Sequence, residues 1–191
     1  MRSEDNPGMW VRGISLISIS RYVKSKLDPV EIKDFFSRLP EGEAETILSA
    51  EKSEWYPFML QRHLREEIAA RFNPENPRQA IFDMVEVTAN YEITAFLRVI
   101  LAHLPLKLVL RRLPKLWDKM YRPGKMTLLE GSDNHAVIKV TEFAHDPLYC
   151  PTMDGWLTVA ARNMGFKKIE VRETSCIHRG DEACIWAVNA E

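Results

Sequence analysis

Residues 149–191 of this 191-residue chain read YCPTMDGWLTVAARNMGFKKIEVRETSCIHRGDEACIWAVNAE. The segment holds all three cysteines of the chain, Cys150, Cys176 and Cys184. Thiolates are soft ligands, and three of them with one carboxylate or imidazole complete the tetrahedral shell that Zn²⁺ prefers. The clustering therefore predicts a zinc site in this segment.

The fourth ligand has two candidates, Glu173 and His178. Residues two apart in a strand project to the same face, which favours His178 beside Cys176. Glu173 is three residues from Cys176 and needs a twist or bulge in the strand to reach the site. Buried free thiols are the alternative to a metal, because free cysteine is among the most buried residue types. An odd cysteine count without a secretory signal disfavours a disulfide.

The same segment resembles the C-terminal half of the 4-vinyl reductase-type domain, the sensor of phenol- and toluene-responsive transcription activators. The resemblance begins with a cysteine, Cys150, and a helix that a Gly-aromatic pair, Gly155-Trp156, opens and that Gly165 ends. It continues with a strand carrying Glu-x-x-Cys, Glu173 to Cys176, and with a last cysteine, Cys184, after a turn that contains Gly180. It implies that the three cysteines and Glu173 hold a structural zinc. The sensors often read Glu-x-Glu-Cys, whereas Ser175 precedes Cys176 here.

The first 122 residues have the pattern of helices. Apolar residues recur at helical spacing, and Asp28, Pro29 and Glu31 have the arrangement of an N-cap, a first-turn proline and a capping box. Residues 11–27 combine a helical period with an Ile-Ser-Ile-Ser alternation. We expect a helix there, with a short strand as the alternative.

Residues 123–191 have the pattern of strands around one helix. The predicted elements are a hairpin over 125–143, a helix over 154–164 and strands over 168–176 and 183–188. We therefore expect an α+β fold in a single domain, 1–191. A helical N-terminal part, 1–122, packs on a four-stranded antiparallel sheet with one crossing helix, in the order β-β-α-β-β.

The order of elements also resembles the superfamily that joins these sensors to haem nitric-oxide-binding (H-NOX) domains and to TRAPP subunits of Golgi transport. The helical half looks like an uncharacterised myxobacterial family, through motifs such as Trp55-Tyr56-Pro57 and Tyr121-Arg122-Pro123-Gly124. These resemblances imply a small-molecule sensor, a protein-interaction module or a haem gas sensor. His103 lies where an H-NOX proximal ligand is expected, but the Tyr-x-Ser-x-Arg motif of the haem-binding relatives is absent.

Three residues are predicted to line a ligand pocket: His103, Trp117 and Trp156. Each combines an apolar body with one polar group, although ordinary core packing is the alternative for each. The predicted ligand is small and apolar or aromatic. We expect such a sensor to form a homodimer and to signal through a separate partner protein.

Composition and motifs disfavour several functional classes for this chain. A formal net charge of -1 gives no general attraction to nucleic acid or to an anionic membrane. The sequence has no run of about 18 apolar residues and its first residues are polar, so a cytoplasmic protein without a membrane span or signal peptide is expected. Common catalytic motifs are absent, and zinc with four protein ligands has no open position for water, so we expect no enzyme.

Overall fold

The structure is a computed structural model that describes residues 8–92, 109 and 111–191. The helices of the N-terminal part are α1 (Gly13–Lys26), α2 (Pro29–Ser37), α3 (Glu43–Leu48), α4 (Phe58–Phe72), α5 (Pro77–Glu92) and α6 (Leu113–Met120). Within the described residues, none of the helices combines the length and the apolar character that a membrane crossing needs.

The predicted capping box at the start of α2 is confirmed. The Asp28 carboxylate accepts hydrogen bonds from the backbone N–H groups of Val30 and Glu31, both at 2.9 Å. The Glu31 carboxylate accepts in return from the backbone N–H of Asp28 at 3.2 Å. These bonds satisfy donors that the first helical turn leaves without intrahelical partners, so they fix where α2 begins.

A small three-stranded sheet was not expected. Its strands are β1 (Trp10–Arg12), β2 (Trp55–Pro57) and β3 (Tyr121–Arg122), paired antiparallel in the order β2-β1-β3. The segment 11–27 is therefore strand at its start and helix only from Gly13, which corrects the prediction of a helix from Val11. The strand depends on backbone pairing with distant segments, which local periodicity does not reveal.

The C-terminal part confirms the predicted α+β arrangement. Its elements are β4 (Lys125–Gly131), β5 (His135–Thr141), α7 (Tyr149–Asn163), β6 (Ile169–Ser175) and β7 (Cys184–Ala190). The strands form an antiparallel sheet in the order β4-β5-β7-β6. Helix α7 packs on β6 and β7 and also contacts α5, so it lies between the sheet and the helical part.

Helix α7 begins earlier than predicted, at Tyr149 instead of Asp154. Pro151 lies in the first turn of the helix, where the missing proline N–H has no intrahelical partner to lose. Cys150 consequently lies on a helix, not in a loop as the pattern had indicated. At Gly155 the helix approaches α5 so closely that a Cβ would stand 2.9 Å from the Cβ of Val85.

Candidate metal centre

The structure brings the four predicted zinc ligands together. One ligand atom from each lies within 4.8 Å of the others: Cys150, Glu173, Cys176 and Cys184. The Sγ atoms of Cys150 and Cys176 are 3.6 Å apart. Two thiolates on one tetrahedral zinc, each about 2.3 Å from the ion, would be about 3.8 Å apart. The spacing of these two sulfur atoms therefore suits a shared ion.

The four residues come from three elements at one end of the sheet. Cys150 is in the first turn of α7, Glu173 is near the end of β6, and Cys184 is the first residue of β7. Cys176 follows β6 directly. An ion held by these residues would link a helix to two neighbouring strands.

A bulge in β6 brings Glu173 into reach of the thiols. Glu173 pairs with Trp186 of β7, but Ser175 pairs with Ile185, so the register shifts between Glu173 and Ser175. Such a shift changes the face to which the following side chains point. It supplies the irregularity that Glu173 needs in order to lie on the same side of the strand as Cys176.

The Glu173 carboxylate has one oxygen available for a cation. Oε2 accepts a hydrogen bond from Arg179 Nη1 at 2.9 Å, whereas Oε1 is buried and has no hydrogen-bond partner in the described part of the chain. The side chain is only 6% exposed. An unpaired buried carboxylate oxygen is unfavourable, and a bound cation would remove that penalty. The donor set therefore fits a metal ion.

The strand-parity argument for His178 is wrong. Strand β6 ends at Ser175, and His178 belongs to a short 3₁₀ helix, Ile177–Arg179, so strand alternation does not apply to it. His178 instead belongs to a second group of potential ligands, in which single ligand atoms of His145, Cys150 and His178 lie within 4.8 Å of one another. Cys150 is common to both groups.

His145 lies in the site, although it was not among the residues predicted from the sequence. Its Nε2 is 3.3 Å from the Sγ of Cys184, and its Nδ1 is 2.9 Å from the backbone carbonyl oxygen of Asp146. His145 is buried, with 6% of its surface exposed. The available signal was its position in the short connection before α7, five residues ahead of the predicted ligand Cys150.

Hydrogen bonds give Cys184 and Cys150 different pKa values. The pKa of Cys184 is lowered because Cys150, His145 and the Ile177 backbone N–H donate to its sulfur, with Cys150 the largest cause. The pKa of Cys150 is raised because it is the donor in that pair, and burial and the nearby Glu173 raise it further. Cys184 is therefore the most readily ionised thiol of the site.

A surface cleft reaches this site. It has a volume of about 330 Å³ and is lined in part by Phe143, His145, Ile177 and Cys184. His145 and Cys184 are themselves buried, so the cleft brings solvent close to the cluster without exposing it. This cleft gives an ion or a small solute a route to the thiols.

A second cluster of buried polar groups includes the predicted pocket residue Trp117. Trp117 Nε1, Tyr149 Oη and the Nε and Nη1 atoms of Arg65 are buried without hydrogen-bond partners among the described residues. Arg65 forms an ion pair with Asp146 through Nη2. The ring centroids of Trp117 and Tyr149 are 6.3 Å apart, and Arg65 Cζ lies 5.4 Å from the Tyr149 ring centroid.

The three predicted pocket residues have different locations. Trp117 is buried in this second cluster, where its ring also contacts those of Tyr121 and Phe143. Trp156 is half-buried on α7 and packs against the core. His103 lies outside the described residues.

No protein-family model matches the chain, and no curated protein matches it. Solved H-NOX structures do match it. An Fe(II) unliganded H-NOX protein from K. algicida has a TM-score of 0.67 and 9% sequence identity, covering 94% of this chain and 96% of that one. An H-NOX protein from S. oneidensis in the Fe(II)NO ligation state has a TM-score of 0.66 and 14% identity, covering 94% and 99%. The chain therefore has an H-NOX-like fold.

Proposed function

We propose that this chain is a non-enzymatic regulatory domain that binds a small molecule and is held together by a structural zinc ion. The observation that carries the proposal is the convergence of four zinc-ligand atoms within 4.8 Å, from elements that are distant in sequence. The H-NOX-like fold supports a sensor, and the spacing of Cys150, Glu173, Cys176 and Cys184 supports the resemblance to the 4-vinyl reductase-type sensors.

Zinc in this site would supply a fixed positive charge and a covalent-like link between elements. Cys150 would contribute from the start of α7, and the remaining ligands from β6, the turn after it and β7. Four protein ligands leave no position for a reacting water on that ion. The site therefore suits a structural role better than hydrolysis.

Thermal unfolding with a zinc chelator tests this role. We expect chelation to lower the melting temperature of the wild-type protein, because the ligands are brought together only in the folded state. Cys176→Ser should melt at a lower temperature and no longer respond to the chelator. A melting curve of Cys176→Ser that matches the wild type would contradict a structural zinc.

Two variants that each remove one negative charge test whether the Glu173 carboxylate binds zinc. Glu173→Gln removes the anionic ligand while keeping the shape of the side chain, and we expect it to lose zinc at lower chelator concentrations. Glu170→Gln removes a carboxylate from an exposed position of the same strand and serves as the control. Equal zinc retention by the two variants would exclude Glu173 as a ligand.

The small molecule is assigned to the second cluster. Rings around Trp117 offer apolar surface, while Trp117 Nε1, Tyr149 Oη and the Nε and Nη1 atoms of Arg65 offer hydrogen-bonding atoms that lack partners in the part of the chain that the structure describes. Buried polar atoms of this kind are stabilised by an occupant that accepts hydrogen bonds. A small aromatic molecule with an oxygen substituent has the matching chemistry, which agrees with the predicted aromatic ligand.

Phenol is a suitable probe for this second site. We expect phenol to raise the melting temperature of the wild-type protein, because a ligand that binds only the folded state stabilises it. Trp117→Phe should reduce the shift, since it removes one donor. Trp10→Phe, a substitution at an exposed tryptophan, should leave the shift unchanged. No shift with phenol, together with no small molecule retained in native mass spectrometry, would contradict this assignment.

A haem gas sensor is the second candidate, favoured by the likeness to Fe(II) H-NOX structures. It would use His103 as the iron ligand, but the chain lacks the Tyr-x-Ser-x-Arg motif for the propionates. A Soret band in the purified protein, lost in His103→Ala, would establish this function in place of the first. A TRAPP-like interaction module stays a prediction. Homodimer formation also stays a prediction, and light scattering of the purified chain tests it.

A further inference from the structure

We propose that His145, His178 and the thiolate of Cys150 form a second metal position beside the first. The cluster would then take two soft divalent ions that share Cys150 as a ligand. The inference rests on the proposed zinc site, because it requires Cys150 to be a bridging thiolate. It goes beyond that site in assigning the two histidines and the cleft next to them.

The spacing of the two imidazoles suits a shared ion. Single ligand atoms of His145, His178 and Cys150 lie within 4.8 Å of one another, and His145 Nε2 is the nitrogen that faces the thiols. Two imidazole nitrogens on one tetrahedral zinc, each about 2.0–2.1 Å from the ion, are separated by about 3.3 Å. Small side-chain rotations would therefore bring both rings onto an ion at the Cys150 thiolate.

Both histidines can adjust to an ion. The Asp146 carbonyl oxygen lies 2.9 Å from His145 Nδ1, and a backbone carbonyl in this position typically orients a metal-binding imidazole through its other nitrogen. The remaining nitrogen, Nε2, then faces the thiols and is 3.3 Å from Cys184 Sγ. His178 is exposed, so its ring can rotate without disturbing the core.

The charge of the first site favours a second cation. Three thiolates and one carboxylate carry four negative charges when they bind zinc, and a single divalent ion leaves two of these charges uncompensated. Arg179, which bonds to Glu173, offsets one of them. Because the three cysteines are buried, the remaining charge is poorly solvated, and a cation held by neutral imidazoles would stabilise it.

The cleft supplies access to the second position. His145 and Cys184 both line it, so an ion can enter from solvent without passing through the core. Three protein ligands also leave one position of a tetrahedral ion open. The second ion would therefore be more exchangeable than the first and would carry a water or a small anion as its fourth ligand.

The number of zinc ions per chain tests the inference. The full chain is incubated with excess Zn²⁺, passed through a desalting column and measured by native mass spectrometry. We expect two ions in the wild type and one in His178→Ala, a substitution at an exposed residue that should not affect folding. His145→Gln should also hold one ion.

A third histidine provides the matched control. His135 lies on β5 and pairs with Asn189, outside both ligand groups. His135→Ala should hold two ions, which separates a specific site from adventitious binding to surface histidines. Two ions in His178→Ala would overturn the inference.

The remaining outcomes separate the inference from the proposed function. One ion in the wild type and in His178→Ala would overturn the second position while leaving the structural zinc intact. No ion in the wild type would overturn both proposals.

Discussion

Raising the pH from about 5 to about 7 should destabilise the protein through one partly buried carboxyl group, that of Glu92. Glu92 is the last residue of α5, and its Oε1 accepts a hydrogen bond of 2.6 Å from the Ser18 hydroxyl of α1. Burial raises the pKa of Glu92 from 4.5 to about 7, and the hydrogen bond from Ser18 offsets only part of that increase. The folded protein therefore binds this proton more tightly than the unfolded chain.

The sign and size of the effect follow from that difference. A carboxyl whose pKa is higher in the folded state contributes its full stabilisation below the unfolded pKa and loses it as the pH rises through the folded pKa. One pKa unit corresponds to about 1.4 kcal/mol, so a shift from 4.5 to about 7 amounts to about 3 kcal/mol. Most of this loss should occur between about pH 5 and about pH 7.

Urea unfolding across this pH range measures the loss. We expect the decrease in the free energy of unfolding over this pH range to be about 3 kcal/mol smaller for Glu92→Gln than for the wild type, because the amide does not ionise. Glu86→Gln, on the same helix and paired with Arg162 at the surface, controls for the change in net charge. If Glu92→Gln loses stability with pH as steeply as the wild type, the assignment of the raised pKa to Glu92 is refuted.

Two further substitutions test local structure by the same urea measurement. Asp28→Ala should lower the free energy of unfolding by about 1 kcal/mol, because it removes the N-cap of α2. Asp34→Ala, which removes an exposed ion pair of the same helix, is the control and should change it by less than about 0.5 kcal/mol. Equal losses in the two variants would contradict the role of Asp28 as a cap. Gly155→Val should cost about 1–3 kcal/mol through overlap with Val85, and less in a Val85→Ala background; strictly additive losses would show that the two sites do not touch.

The fold class could be predicted because the C-terminal strands bury one face. Ile138 and Val140 of β5 are buried and Lys139 between them is only partly so, and that alternation is visible in the sequence. The three-residue strands β1 and β2 were missed because three residues are too few to show a period. Their pairing is set by contacts across some 45 positions of the chain, which the sequence does not display locally.

In the candidate site too, local sequence patterns predicted some of the residues, whereas the position of others depends on contacts distant in sequence. Cysteine clustering and the Glu-x-x-Cys spacing pointed to four residues that the structure brings together, but strand parity was not a valid reason to place His178 beside Cys176. That argument failed because the strand ends before His178. His145 was missed because its approach to Cys184 depends on how the chain turns between β5 and α7.

Helix α7 is fastened to the sheet at two points one turn apart on the same side. Cys150 contacts Cys176 beyond the end of β6, and Asp154, four residues later, accepts a hydrogen bond from the indole of Trp186 on β7 at 2.9 Å. Rotation of the helix about its own axis would break both contacts at once. Any displacement of α7 that keeps them must instead carry the neighbouring strands with it, and the ion pair of Asp154 with Arg78 extends this coupling to α5.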